Sequence, residues 1–100
     1  MFIEAINTLH IQAAHGYADE LGSQLQAIVG ELRPVDGCLN YLVARCCVDM
    51  NVWVVSSHWA NRAAMQTHFE DPSLGSFIEL LTSRTVTKID FNSFFNQYSV

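Results

Sequence analysis

Cys38-Leu39-Asn40-Tyr41-Leu42-Val43-Ala44-Arg45-Cys46-Cys47, then Val48-Asp49-Met50-Asn51, then Val52-Trp53-Val54-Val55-Ser56-Ser57-His58-Trp59: this stretch decides how the chain folds. The runs 38–47 and 52–59 are rich in Val, Leu, Tyr, Trp and Cys. β-branched and aromatic side chains suit a pleated, half-buried surface. Two such runs joined by a short, polar-tipped link predict an antiparallel hairpin.

The flanks complete the pattern. Residues 2–11 alternate, with Ile3, Ala5, Asn7, Leu9 and Ile11 on one face and Phe2, Glu4, Ile6, Thr8 and His10 on the other. That period of two predicts a strand. Residues 16–33 carry Ala18, Leu21, Leu25, Ile28 and Leu32 at helical spacing, so a helix is expected there. Pro34 should stop it, and Asp36-Gly37 should turn the chain. Beyond the hairpin, residues 61–70 read as a helix, with Asn61 as N-cap and Ala64, Met65, His68 and Phe69 on one side. Asp71-Pro72 breaks it. Ser73 is placed to cap a second short helix with Leu74, Phe77, Ile78 and Leu81 as its stripe. Residues 85–95 alternate again, with Thr85, Thr87, Ile89, Phe91 and Ser93 opposed to Val86, Lys88, Asp90, Asn92 and Phe94. The order β-α-β-β-α-β, its second helix broken, is the ferredoxin-like motif. A single α+β domain over residues 1–100 is expected, a four-stranded antiparallel sheet with its helices on one face.

Composition narrows the function. Five Lys and Arg against ten Asp and Glu give a formal charge of −5. Scattered cations on an acidic chain argue against a nucleic-acid groove. No GxGxxG or P-loop string is present, so nucleotide chemistry of those kinds is not expected. No apolar run reaches the length of a membrane span. The first residues lack a basic start and a cleavage site. Cys38, Cys46 and Cys47 are an odd set with two adjacent, which suits a reducing cytoplasm better than a disulfide framework. His10, His15, His58 and His68 show no metal-binding spacing, so no metal is expected. His10 and His58 share the even face and are expected to approach each other. The adjacent cysteines read as packing residues of an apolar strand, and Arg45 and Arg62 as solvated.

Half of the residues are hydrophobic and only 15% are charged, against about 25% in typical soluble domains. Phe2, Ile6, Val52, Val54, Val86 and Phe94 all fall on even strand positions. An antiparallel sheet facing water should be polar on that side. A second copy is therefore expected to cover it, giving a homodimer packed sheet against sheet.

Three segments carry a family resemblance: Asp36-Gly37-Cys38-Leu39-Asn40-Tyr41, Ser57-His58-Trp59-Ala60-Asn61-Arg62-Ala63-Ala64-Met65-Gln66-Thr67-His68-Phe69, and Asp71-Pro72-Ser73-Leu74-Gly75-Ser76-Phe77. A Gly-Cys entry to the second strand, a Trp closing the third, and an Ala-rich helix with His nine residues after that Trp resemble the antibiotic biosynthesis monooxygenase family. The resemblance implies a dimeric α+β barrel with a pocket in each subunit between sheet and helices. It also implies oxidation of quinols or anthrones by dioxygen without metal or flavin, so no cofactor is expected. Relatives often carry His after the Pro-containing break, where this chain has Leu74. A haem-degrading branch combines an Asn on the first strand with a Trp on the second helix and a His on the short helix. Asn7 matches the first, but the other positions fall on His68 and near Ile78, so haem degradation is not implied.

Asn7, Trp59 and His68 are the expected catalytic set. Asn7 and Trp59 lie on odd positions of strands that are neighbours in this fold, and His68 lies on the helix that follows. An Asn offers groups that can hold a phenolate or enolate oxygen. A Trp offers a flat wall and one N–H. A His accepts a phenol's proton near neutral pH. Leu25, Ile28, Tyr41, Phe69 and Phe77 are expected to line the pocket. Each residue also has a structural reading: Asn7 as partner of a neighbouring backbone group, Trp59 as a core anchor, His68 as a satisfied helix residue, the Leu25 stripe as core and Tyr41 as hairpin packing. The sequence thus supports two functions, a cofactor-free oxygenase of a small aromatic or hydrophobic substrate, or a non-catalytic dimeric module that binds a small hydrophobic ligand.

Overall fold

The structure, a computed structural model, describes residues 2–32 and 35–97. Strands β1 (Ala5–Ala13), β2 (Cys38–Arg45), β3 (Val52–Trp59) and β4 (Val86–Phe95) form one antiparallel sheet in the order β2-β3-β1-β4. Helix α1 (Ala18–Glu31) joins β1 to β2. Helix α2 (Arg62–Phe69), a 3₁₀ turn (Pro72–Leu74) and helix α3 (Gly75–Leu81) lead from β3 to β4. This is the expected ferredoxin-like arrangement with a broken second helix, and β1 and β3 are its central strands.

Register assigns the faces. Asn7 stands opposite Ser57 on one side and Ser93 on the other. The odd residues of β1 turn inward, and Ala5, Asn7, Leu9 and Ile11 are all buried. Trp59, Val55 and Tyr41 join them from β3 and β2, with Leu21, Leu25 and Val29 of α1 packed on top. The even face carries Ile6, Leu42, Val52 and Val54, all half-buried, and Phe94, which is exposed.

Several boundaries and faces differ from the expectation. β1 begins at Ala5 and leaves Phe2 and Ile3 exposed, because pairing with β3 and β4 decides its ends. α1 starts at Ala18, after Gly16 at φ 84° has turned the chain. Within α1 it is Val29 that is buried, and Ile28 is half-buried. In α3 the inward residues are Phe77 and Leu80, whereas Ile78 is exposed. Cys46 and Cys47 lie beyond the end of β2 in the hairpin loop, not in an apolar strand. There the Cys46 Sγ accepts the Asp49 N–H at 3.4 Å. His10 pairs with Val54 and His58 with Ile6, so register keeps the two histidines apart. Arg45 is not simply solvated: it bonds Asp19 at 2.9 Å and lies 5.0 Å over the Trp53 ring. Arg62, also read as solvated, is exposed but lies over the Phe95 ring at 4.4 Å. The expected stop at Pro34 and the cap by the Ser73 side chain lie outside the described residues.

Asn61 caps α2 as its sequence predicts, its Oδ1 accepting the Ala64 N–H at 2.7 Å. Gly37 places this cap beside the start of β2. Its φ is +82°, and a Cβ there would meet the Ala64 Cβ at 2.5 Å. Gly37→Ala therefore combines a left-handed backbone with overpacking. The expected result is a loss of about 2 kcal/mol or more, read as a lower chemical-denaturation midpoint with an unchanged slope.

Candidate active site

Helix α2 packs on β1 and β3 and helix α3 on β4, and the site forms beneath them. Asn61 starts α2 at a fixed point. One turn and more later, Met65, His68 and Phe69 reach the inner layer. Trp59, the last residue of β3, is wholly buried and receives them: its ring centroid lies 4.9 Å from that of His68 and 6.4 Å from that of Phe69. His68 and Phe69 are 5.0 Å apart. Phe69 in turn meets Phe91 of β4 edge-on at 5.6 Å.

His68 is 4% exposed. Its Nε2 lies 3.3 Å from the Tyr41 hydroxyl, the two rings being set edge-on. Burial is the larger influence on the imidazole and holds its pKa below the usual histidine value, while the Asp71 carboxylate opposes that shift. The ring is neutral at pH 7 and able to take a proton. Burial pushes the Tyr41 phenol well above its ordinary range, with Cys38 adding to the effect. Tyr41 therefore keeps its proton. It donates to Nε2 when His68 is protonated at Nδ1, and accepts from Nε2–H in the other tautomer.

Asn7 is 2% exposed and turned toward β4, its Nδ2 donating to the Asn92 carbonyl at 3.1 Å and to Ser93 Oγ at 2.9 Å. The Trp59 indole N–H donates to Ser57 Oγ at 2.9 Å. These bonds satisfy buried polar atoms as expected for an interior.

Two apolar cavities lie beside this cluster. One of about 260 Å³ is lined by Leu9, Phe69, Leu74, Phe77, Ile78, Leu81 and Phe91. The other, about 440 Å³, lies between α2 and the end of β4, where Phe69, Phe91, Ser93 and Arg62 are among its walls. Phe69 and Phe91 belong to both, so the two form a cleft divided by one aromatic pair.

The structure brings Trp59, His68, Tyr41 and Phe69 together, and Phe69 and Phe77 line cavities. It corrects other placements. Asn7 and Trp59 do not open onto the cleft, because the rings of His68 and Phe69 fill the space over Trp59 and Asn7 bonds sideways to β4. His68 is interior and lines neither cavity. Leu25 is core, and Tyr41 is buried behind His68. Ile28 lines a different, polar-rimmed depression with Glu20, Gln24, Ser83 and Arg84. Phe91 and Ser93 were not among the expected site residues. Their odd parity on the last strand, the parity of Asn7, was the available signal.

Among the described residues, no three His, Cys, Asp or Glu side chains converge as a metal site would. No described helix is long and apolar enough to cross a membrane.

The model of the antibiotic biosynthesis monooxygenase family matches residues 5–80. A crystal structure from Deinococcus radiodurans, provisionally described as an antibiotic biosynthesis monooxygenase, is 27% identical. It covers 96% of this chain and 95% of that one, with a TM-score of 0.83. A Pseudomonas aeruginosa protein is 22% identical over 96% of each chain, with a TM-score of 0.78. A variant of SnoaB, a cofactor-independent oxygenase from Streptomyces nogalater, is 15% identical over 97% of each chain, with a TM-score of 0.73. The last two likenesses speak for the fold alone. No curated protein sequence matches this chain.

Proposed function

The chain belongs to the antibiotic biosynthesis monooxygenase family, and from that membership we propose that it oxidises an electron-rich phenol, quinol or polyketide-like ring with dioxygen, without metal or flavin. The observation that carries the reading is the stack of Trp59, His68 and Phe69. It sets a neutral imidazole one aromatic ring behind the wall of an apolar cleft. On this reading Phe69, which stands between His68 and Phe91, would have to rotate to admit a substrate to that imidazole.

The chemistry then needs only the substrate's own electrons. His68 takes the acidic proton, and the resulting anion passes one electron to dioxygen. The substrate radical and superoxide combine at a ring carbon, and a proton completes the hydroperoxide. At a CH₂ centre such as an anthrone's, loss of water leaves a carbonyl, so one oxygen atom enters the product and the other leaves as water. An apolar cleft favours electron transfer from a desolvated anion, whose charge water would otherwise stabilise.

A second reading, a binding module for a small hydrophobic ligand without turnover, is favoured by the burial of His68, which lines neither cavity. In either reading the protein acts as a homodimer joined through the even face of the sheet. The support is the apolar character of Ile6, Leu42, Val52 and Val54 on a face that the helices leave uncovered.

Oxygen uptake with a panel of anthrones and quinols separates the two. Catalytic consumption at micromolar enzyme, with one oxygen atom from ¹⁸O₂ recovered in an anthrone's product, is the expected result. Tight binding of the same compounds with no uptake above the uncatalysed rate would leave the binding module.

A further inference from the structure

Asn7 has two amide protons to give, and β4 takes both. Nδ2 donates to the Asn92 carbonyl at 3.1 Å and to Ser93 Oγ at 2.9 Å. A carbonyl oxygen only accepts, so the first bond fixes which end of the amide faces β4. Ser93 Oγ is then an acceptor toward Asn7 and keeps its own O–H to donate elsewhere.

Ser93 stands one step farther out than Asn7. It is exposed and lines the cavity of about 440 Å³, whereas Asn7 lines neither cavity of the cleft. Phe69 and Phe91 give that cavity an aromatic wall. Arg62 and Gln66 of α2 and its C-cap Glu70, spaced four residues apart, rim it. The Arg62 guanidinium lies over the Phe95 ring at 4.4 Å, which keeps a positive charge at the mouth. A donor hydroxyl held by a buried amide, an aromatic wall and a nearby cation together match a hydroxylated aromatic whose oxygen carries or gains negative charge. The Glu70 carboxylate lies in the same rim.

We infer that Ser93 is the hydrogen-bond donor to the phenolic oxygen of a hydroxylated aromatic ligand seated against Phe69 and Phe91, and that Asn7 is its positioning residue. This rests on the reading of the cleft as the substrate site, but not on turnover.

The test is equilibrium dialysis with two probes of one shape, 2-naphthol and naphthalene. The wild-type protein binds 2-naphthol more tightly. Ser93→Ala weakens 2-naphthol by about five- to tenfold, the usual worth of one hydrogen bond, and leaves naphthalene unchanged. Ser93→Thr keeps the hydroxyl and restores the preference. Asn7→Leu retains Ser93 but releases it, so the preference shrinks while naphthalene binding holds. A Ser93→Ala protein that still prefers 2-naphthol overturns the inference. Wild-type protein that binds neither probe overturns both the anchor and the cleft as a substrate site. Loss of the preference in a protein that consumes no oxygen sinks the oxygenase and leaves the anchor standing.

Discussion

His68→Ala is expected to lower turnover by about 10²-fold at pH 7, the usual contribution of a positioned proton acceptor. The loss has a pH signature. Burial holds the His68 pKa below its ordinary value of 6.5, so wild-type turnover is level above pH 6.5 and falls as pH drops through that lowered value. The variant lacks this acid limb. At high pH its deficit shrinks, because a phenol that ionises in water needs no base. Stability follows the same group. A buried base with a depressed pKa contributes stability that is present above the unfolded value and lost as pH falls through the folded one. Removing the ring also deprives the Tyr41 hydroxyl of the Nε2 atom at 3.3 Å and leaves a void against Trp59. Turnover is therefore compared well below the melting temperature of both proteins. Activity that is unchanged at every pH would remove His68 from the chemistry and leave it as a core residue.

A charge at Val54 is expected to abolish the sheet-on-sheet homodimer proposed above. Val54 sits near the middle of the even face, between His10 of β1 and Ala44 of β2. In a sheet-on-sheet pair it is desolvated, and an unpaired charge there costs several kcal/mol, or about 10³-fold or more in dimer affinity. Asp at this position faces His10 across the strand pair, so Val54→Lys is needed beside Val54→Asp to exclude rescue by a local ion pair. Sedimentation at micromolar concentration should show twice the 11.2 kDa chain mass for the wild type and the monomer, or unfolded chain, for both variants. Two variants that remain dimers of ordinary stability would place the contact on another surface.

Much of this molecule is legible in local pattern. The two runs around Val48–Asn51 specify the hairpin, because side-chain alternation and a short link leave few other ways to bury them. Asn61 announces the start of α2, and Asp71-Pro72 the break after it, because capping and proline geometry act within a few residues. The inward face of β1, including Asn7, follows from parity alone. The proximity of Trp59 and His68 follows once the element order is known.

What the sequence could not determine is where these polar atoms point. Asn7 reads as a cavity residue because parity sends it inward, but inward also means toward β4. Register alone puts Ser93 within 2.9 Å of its amide. Trp59 reads as a wall, but the rings of His68 and Phe69 cover it, and its N–H is spent on Ser57. Ile28 and Val29 exchange roles, as do Ile78 and Leu80, because a rotation of a helix by one residue changes which side chain is buried without changing the periodic pattern. Periodicity and capping are properties of neighbours in the chain, and the sequence determined them. Hydrogen-bond direction and helix rotation are settled by contacts between residues as far apart as Asn7 and Ser93, and those existed only once the sheet had assembled.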